Sequence, residues 1–96
     1  MKDLVLLVTY ITKPGCREAF VRELIESGVH AAVNAEDGCH KYDYYFDAQN
    51  EDQVLLVEKW ESREKARVHL KTPHMTVTAK AIKDKYMLDM KMEEID

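Results

Sequence analysis

The chain has 96 residues, 46% of them hydrophobic and 33% charged, with a net charge of −4. This fits one small globular domain, residues 1–96, whose limited core makes pairing with a second copy a reasonable expectation. Basic residues alternate with Asp and Glu instead of forming a block, which argues against nucleic acid or an anionic membrane as a partner.

The start, MKDLVLL, carries an acid at once and shows no small-residue cleavage site, so no signal peptide is expected. The longest apolar run, Leu4 to Val8, is far too short to span a bilayer. Cys16 and Cys39 are spaced neither as a metal knuckle nor as a redox pair. The expectation is a cytoplasmic protein with two reduced thiols.

Leu4 to Thr12 is nearly continuous apolar and β-branched sequence and reads as an inner strand, ended by Lys13-Pro14-Gly15. From Cys16 the period changes. Phe20, Val21, Leu24 and Ile25 fall on one helical stripe, and the helix is expected to continue past Gly28 to about Asn34. Glu36-Asp37-Gly38 reads as a turn. A strand follows in which Tyr42, Tyr44 and Phe46 alternate with Lys41, Asp43 and Tyr45.

Ala48 to Asp52 is a hairpin loop. Gln53 to Glu61 reads as a third strand, with Val54, Leu56, Glu58 and Trp60 on one face and Leu55, Val57 and Lys59 on the other. Ser62 suits an N-cap for a short helix carrying Ala66 and Leu70. Thr72-Pro73 must end it, because Pro disfavours helical geometry in the residue before it. The same dipeptide can open a new helix, with Thr72 as cap, Pro73 first, and Met75, Ala79 and Ile82 as its stripe. Tyr86 to Glu93 alternates again.

The order is β-α-β-β-α-β, with the second helical region broken at Thr72-Pro73. It predicts an α+β, ferredoxin-like fold: four antiparallel strands with both helical regions on one face. That leaves a bare sheet face, where Leu7, Leu55 and Val57 are expected, and a final strand, rich in Met87, Met90 and Met92, suited to an adaptable contact.

Two constellations stand out. His69 and His74 are five residues apart and would diverge by about 140° on a straight helix. The break at Pro73 lifts that constraint, so the spacing leaves open whether the rings meet. His74 falls in the first turn of a helix, where the dipole favours a neutral ring able to act as a base. Glu58 is expected among apolar neighbours, where a carboxylate needs a partner or a function. Trp60 and Tyr44 would serve a pocket for a planar ligand. No metal-ligand spacing occurs, and the three glycines are isolated, so neither a metal nor a bound nucleotide cofactor is expected.

TKPG at 12–15, EDGCHKYDYY at 36–45, VEKWES at 57–62 and HLKTPHM at 69–75 together resemble the antibiotic-biosynthesis monooxygenase family. Within it the chain is most similar to the bacterial quinol monooxygenases. The resemblance implies a homodimer with sheets packed together as a dimeric α+β barrel. It also implies oxygen chemistry on a small quinol or phenolic substrate without flavin, metal or haem. On that basis His74 and Glu58 are the catalytic candidates, and Trp60, Tyr44, His69 and His30 the substrate-binding ones.

Two other branches bear on the reading. In the haem-degrading branch the iron-binding His aligns with Ala79 and a polar Asn falls near Val8; both departures count against haem. A branch that isomerises the phosphorylated autoinducer-2 signal shares the His-x-x-Thr-Pro-His pattern and a His aligned with His30. An isomerase of a small phosphorylated signal is therefore the alternative and would need a cationic patch, from Lys71, Lys80 or Lys83. A third reading is a non-catalytic dimeric binder of aromatic metabolites.

Overall fold

Alternation of apolar and polar side chains along four segments builds one antiparallel sheet, described by a computed structural model for residues 2–95. Its strands are β1 (Leu4–Thr12), β2 (Cys39–Phe46), β3 (Gln53–Trp60) and β4 (Met87–Ile95). Their order is β2-β3-β1-β4, the ferredoxin-like arrangement. Helices α1 (Arg17–Glu26), α2 (Val29–Asn34), α3 (Arg63–His69) and α4 (Lys80–Tyr86) cover one face, with a π-helical turn, His74–Ala79, leading into α4. None of the described helices is long and apolar enough to cross a membrane.

Pairing register decides what meets on the covered face. Glu58 stands between Tyr42 on β2 and Leu6 on β1, and Leu6 pairs outward with Glu94 on β4. The next row is Tyr44, Leu56, Val8 and Met92. Period-two alternation puts Val54, Leu56, Glu58 and Trp60 together on the buried side. Phe20, Leu24, Val29 and Val33 of α1 and α2 complete the core beneath them.

Several local expectations are corrected. The first helix does not run through: Gly28, at φ +91°, takes a left-handed turn that few other residues adopt, and its N–H bonds Ile25 O at 3.1 Å. Ile25, expected on the buried stripe of this helix, is exposed. Leu70 is also exposed, and the buried residue of α3 is His69. Tyr86 belongs to α4, where its ring packs against Phe20, so β4 starts one residue later. On the edge strand β4, Met90 and Met92 lie on the helix side, in register with Tyr10 and Val8.

Candidate active site

The turn before β2 and the break before the π-helical turn come together at one point. Gly38, at φ +84°, lets the turn close. A Cβ there would meet the Lys65 side chain at 2.6 Å, so the stem of Lys65 lies directly over the glycine while its ammonium pairs with Asp37. Ser62 Oγ accepts from Lys65 N at 3.2 Å and starts α3 beside this turn. Glu61 N donates to Gly38 O at 2.8 Å, extending the β2–β3 pairing into it. Glu36 is thereby held against the far end of α3.

There the two histidines of HLKTPHM converge. Glu36 Oε2 is 2.7 Å from His69 Nδ1 and 2.8 Å from His74 Nε2. Thr72 does not cap the next helix through its side chain; its hydroxyl donates to His69 O at 2.8 Å and closes the end of α3. Pro73 then enters helical geometry at φ −60° and the chain winds as a π-helical turn, which aims His74 back at Glu36.

A carboxylate oxygen only accepts, so a neutral His69 carries its proton on Nδ1 and leaves Nε2 with a free lone pair. Nε2 bonds no described protein group, and no buried side-chain nitrogen among the described residues is sealed off without a partner. That edge of the ring therefore opens into space.

The space is a cavity of about 400 Å³ between the sheet and α3, α4 and the π-helical turn. Its walls are mainly apolar (Leu4, Leu6, Val8, Ala66, Met75), and its chemistry comes from Glu58, His69, Tyr10, Tyr42 and Lys83. Exposed Leu70, Met90 and Met92 mark the mouth, where Arg63 Nη2 pairs with Glu94 Oε1 at 2.8 Å.

Inside, Trp60 Nε1 donates to Glu58 Oε1 at 2.9 Å, and Oε2 has no donor among the described residues. Burial pushes the Glu58 carboxyl above the ordinary carboxylate range; the Trp60 bond and nearby His69 and Lys83 pull the other way. Burial keeps the hydroxyls of Tyr10, Tyr42 and Tyr44 protonated by raising them well above the usual phenol range. It also pushes the Lys83 ammonium down.

Of the six residues picked from sequence, Glu58 and His69 line the cavity. Trp60 lies fully buried behind it, its ring 4.8 Å from that of His69, and orients Glu58. His74 is turned away, toward Glu36. Tyr44 and His30 pack on each other at 5.5 Å outside the cavity lining, and His30 Nε2 sits 3.4 Å from Asp43 Oδ1. Glu36 was missed. It looks like a plain turn residue and lies 33 positions from His69; its short spacing to Gly38 is the one local signal that it is fixed in place.

Glu36, His69 and His74 also form the metal-capable group found among the described residues, with donor atoms all within 4.8 Å of one another. In the observed arrangement Glu36 Oε2 accepts from both imidazoles, so the three satisfy one another without an ion.

An α+β sheet whose helix layer encloses a cavity with a buried carboxyl and an imidazole defines the class. The antibiotic biosynthesis monooxygenase family model matches residues 4–81, and the chain belongs to that family. The probable quinol monooxygenase YgiN of Escherichia coli K12 is 29% identical over 90 residues, covering 83% of this chain and 85% of that protein. The structure of PA3566 from Pseudomonas aeruginosa superposes with a TM-score of 0.83 at 25% identity, covering 99% of this chain and 93% of the other. A Nitrosomonas europaea protein of the same family designation gives a TM-score of 0.87 at 22% identity, covering 98% and 88%. The last likeness shows the fold alone.

Proposed function

We propose that this protein is a cofactor-independent monooxygenase that oxidises a small quinol or phenol with molecular oxygen. Family membership and the likeness to a probable quinol monooxygenase support monooxygenase-like function. The observation that carries the reading is the apolar cavity with the Glu58 carboxyl and the free edge of His69 on its wall.

Ground-state oxygen is a triplet and reacts slowly with closed-shell organic molecules, whereas a deprotonated quinol readily gives up one electron. His69 Nε2 takes the hydroxyl proton, with Glu36 holding the ring and His74 pinning Glu36. One electron passes to oxygen, and the resulting radical pair joins through a new bond between oxygen and a ring carbon. Imidazolium returns its proton to the peroxide. Glu58 takes the hydrogen on that ring carbon as a proton, the electron pair forms a carbonyl, and the O–O bond breaks. Hydroxide leaves with that proton as water. One oxygen atom enters the ring and the other becomes water, so a quinol and O₂ give a hydroxyquinone and H₂O. The apolar walls exclude bulk water from the radical pair.

In this scheme His69 replaces His74 as the imidazole that meets substrate, and His74 and Trp60 become positioning residues. Neither flavin, haem nor metal takes part. A panel of quinols in an oxygen electrode, with metal-free buffer, provides the test. We expect quinol-dependent uptake that falls by about 10²–10⁴-fold in His69→Ala. Wild-type rates in that variant, or no uptake with any quinol, reject the reading. Lys83 on the cavity wall favours the isomerase alternative as a second reading, whereas Lys71 and Lys80 do not line the cavity. Turnover of a sugar phosphate without oxygen uptake is the outcome that distinguishes it.

The proposal includes a homodimer. Leu7 pairs with Val57 and Thr9 with Leu55 on the sheet face that carries no helix, an apolar surface that a two-fold contact would cover. Light scattering at micromolar concentration should give twice the chain mass; a stable monomer rejects the pairing.

A further inference from the structure

Lys83 has no place in the chemistry above, yet it sits inside the cavity. It projects from α4, its Nζ lies 5.3 Å from the Tyr10 ring centroid, and it lines the same cavity as Glu58. Among the described residues no carboxylate oxygen is within ion-pair distance of it, whereas Lys41, Lys65, Lys80 and Lys85 each have one. An ammonium in an apolar cavity with only an aromatic face beside it is a charge short of its partner.

The groups around it do not supply that partner. On β3, Glu58 is close enough to act through space, but its Oε1 is engaged by Trp60 and neither of its oxygens comes within ion-pair distance of Lys83 Nζ. On β1 and β2, the hydroxyls of Tyr10 and Tyr42 are held neutral. On α3, His69 is turned toward Glu36 through Nδ1, and Arg67 at the rim adds a further positive charge. The β4 acid, Glu94, is neutralised by Arg63.

We propose that Lys83 holds the ionised oxygen of the ligand, so that the cavity binds hydroxyaromatics as their phenolates. An anionic oxygen supplies the missing charge, and Leu4, Leu6, Val8 and Met75 offer apolar contact to a ring. In a poorly hydrated site an adjacent ammonium favours the ionised form of a phenol. For the oxygen reaction, on which this step rests, Lys83 would ease removal of the hydroxyl proton by His69. It would also stabilise the negative charge as it moves from ring oxygen to dioxygen. The binding claim itself needs no turnover.

p-Nitrophenol is a suitable probe, because its phenolate absorbs visible light and its neutral form does not. Binding is measured under argon to the full chain, as wild type and as Lys83→Met, Lys83→Gln and Lys83→Arg. Met and Gln are uncharged chains that fit the same space, and near-ultraviolet circular dichroism checks their packing. In the wild type we expect the bound dye to titrate about one unit lower than free dye, equivalent to about tenfold tighter binding of the phenolate than of the phenol. Lys83→Met and Lys83→Gln should abolish the shift, and Lys83→Arg should keep most of it. A bound dye that titrates like free dye in the wild type, a shift that survives in Lys83→Met and Lys83→Gln, or no binding to the wild type each overturns the assignment. Oxygen uptake with quinols, run in parallel, separates the two claims. Uptake with an unshifted dye sinks the Lys83 role alone, and a Lys83-dependent shift without uptake sinks the oxygen chemistry alone.

Discussion

The two halves of the helix layer are built to different ends. Over the first βα unit, Phe20, Leu24, Val29 and Val33 are each no more than 1% exposed, and no residue of α1 or α2 lines the cavity. Over the second, the corresponding positions carry Ala66, His69, Met75 and Lys83, all of which line it, while Val68 and Val77 face outward. Large apolar side chains fill the space above one half of the sheet. Small and polar ones above the other half leave room for a ligand and supply its chemistry. One topology thus holds a solid half that stabilises it and a hollow half that can react.

The sharpest way to break this comparison is to truncate one side chain in each half and measure urea unfolding. Phe20→Ala removes a ring packed edge-on against Tyr10 at 5.3 Å and should cost about 3–5 kcal/mol. Met92→Ala, at the exposed mouth, should cost less than about 1 kcal/mol while weakening binding of the aromatic ligand. Equal costs would mean that the hollow half is packed as tightly as the solid one.

A smaller effect tests the charge buried in the hollow half. A carboxyl whose ionisation is pushed up by burial binds more protons in the folded than in the unfolded chain. Stability then falls as pH rises from the ordinary Glu value, about 4.3, through the higher folded-state value of Glu58. Glu58→Gln keeps an oxygen to accept from Trp60 Nε1 and removes the charge. Thermal melts should show a variant equal to or slightly more stable than wild type at pH 7, with a flatter profile above the ordinary carboxylate range. The gain should be well below the loss in Phe20→Ala. A clear loss of stability at pH 7 would show that the ionised carboxylate is itself a stabilising partner.

The solid half was largely legible in the sequence. A nearly continuous apolar and β-branched run located the strand Leu4–Thr12 to the residue, and Phe20, Val21 and Leu24 of the expected stripe are buried as their spacing requires. What escaped was local backbone geometry, such as the left-handed Gly28 that splits the first helix. In the hollow half, the strand face of Glu58 and Trp60 followed from period-two alternation. The acid that organises the histidines did not. Hydrophobic periodicity says nothing about a polar turn residue, and the contact of Glu36 with His69 and His74 depends on sheet register and on a π-helical turn that leaves no periodic trace. That unseen contact explains why His74, rather than His69, looked like the base. Tyr44 and His30, picked as substrate-binding residues, pack on each other outside the cavity lining, a contact between strand and helix that neither residue's local pattern shows.

The central claim is that Glu36 fixes the His69 ring with its proton on Nδ1, leaving Nε2 as a base on the cavity wall. Nitrogen-15 NMR of the imidazole ring, in wild-type protein at neutral pH, tests it most directly. The account predicts that His69 is a neutral ring protonated at Nδ1, with an unprotonated Nε2 whose shift moves when an aromatic ligand enters the cavity. A ring protonated at Nε2, or an Nε2 signal indifferent to the ligand, would contradict it.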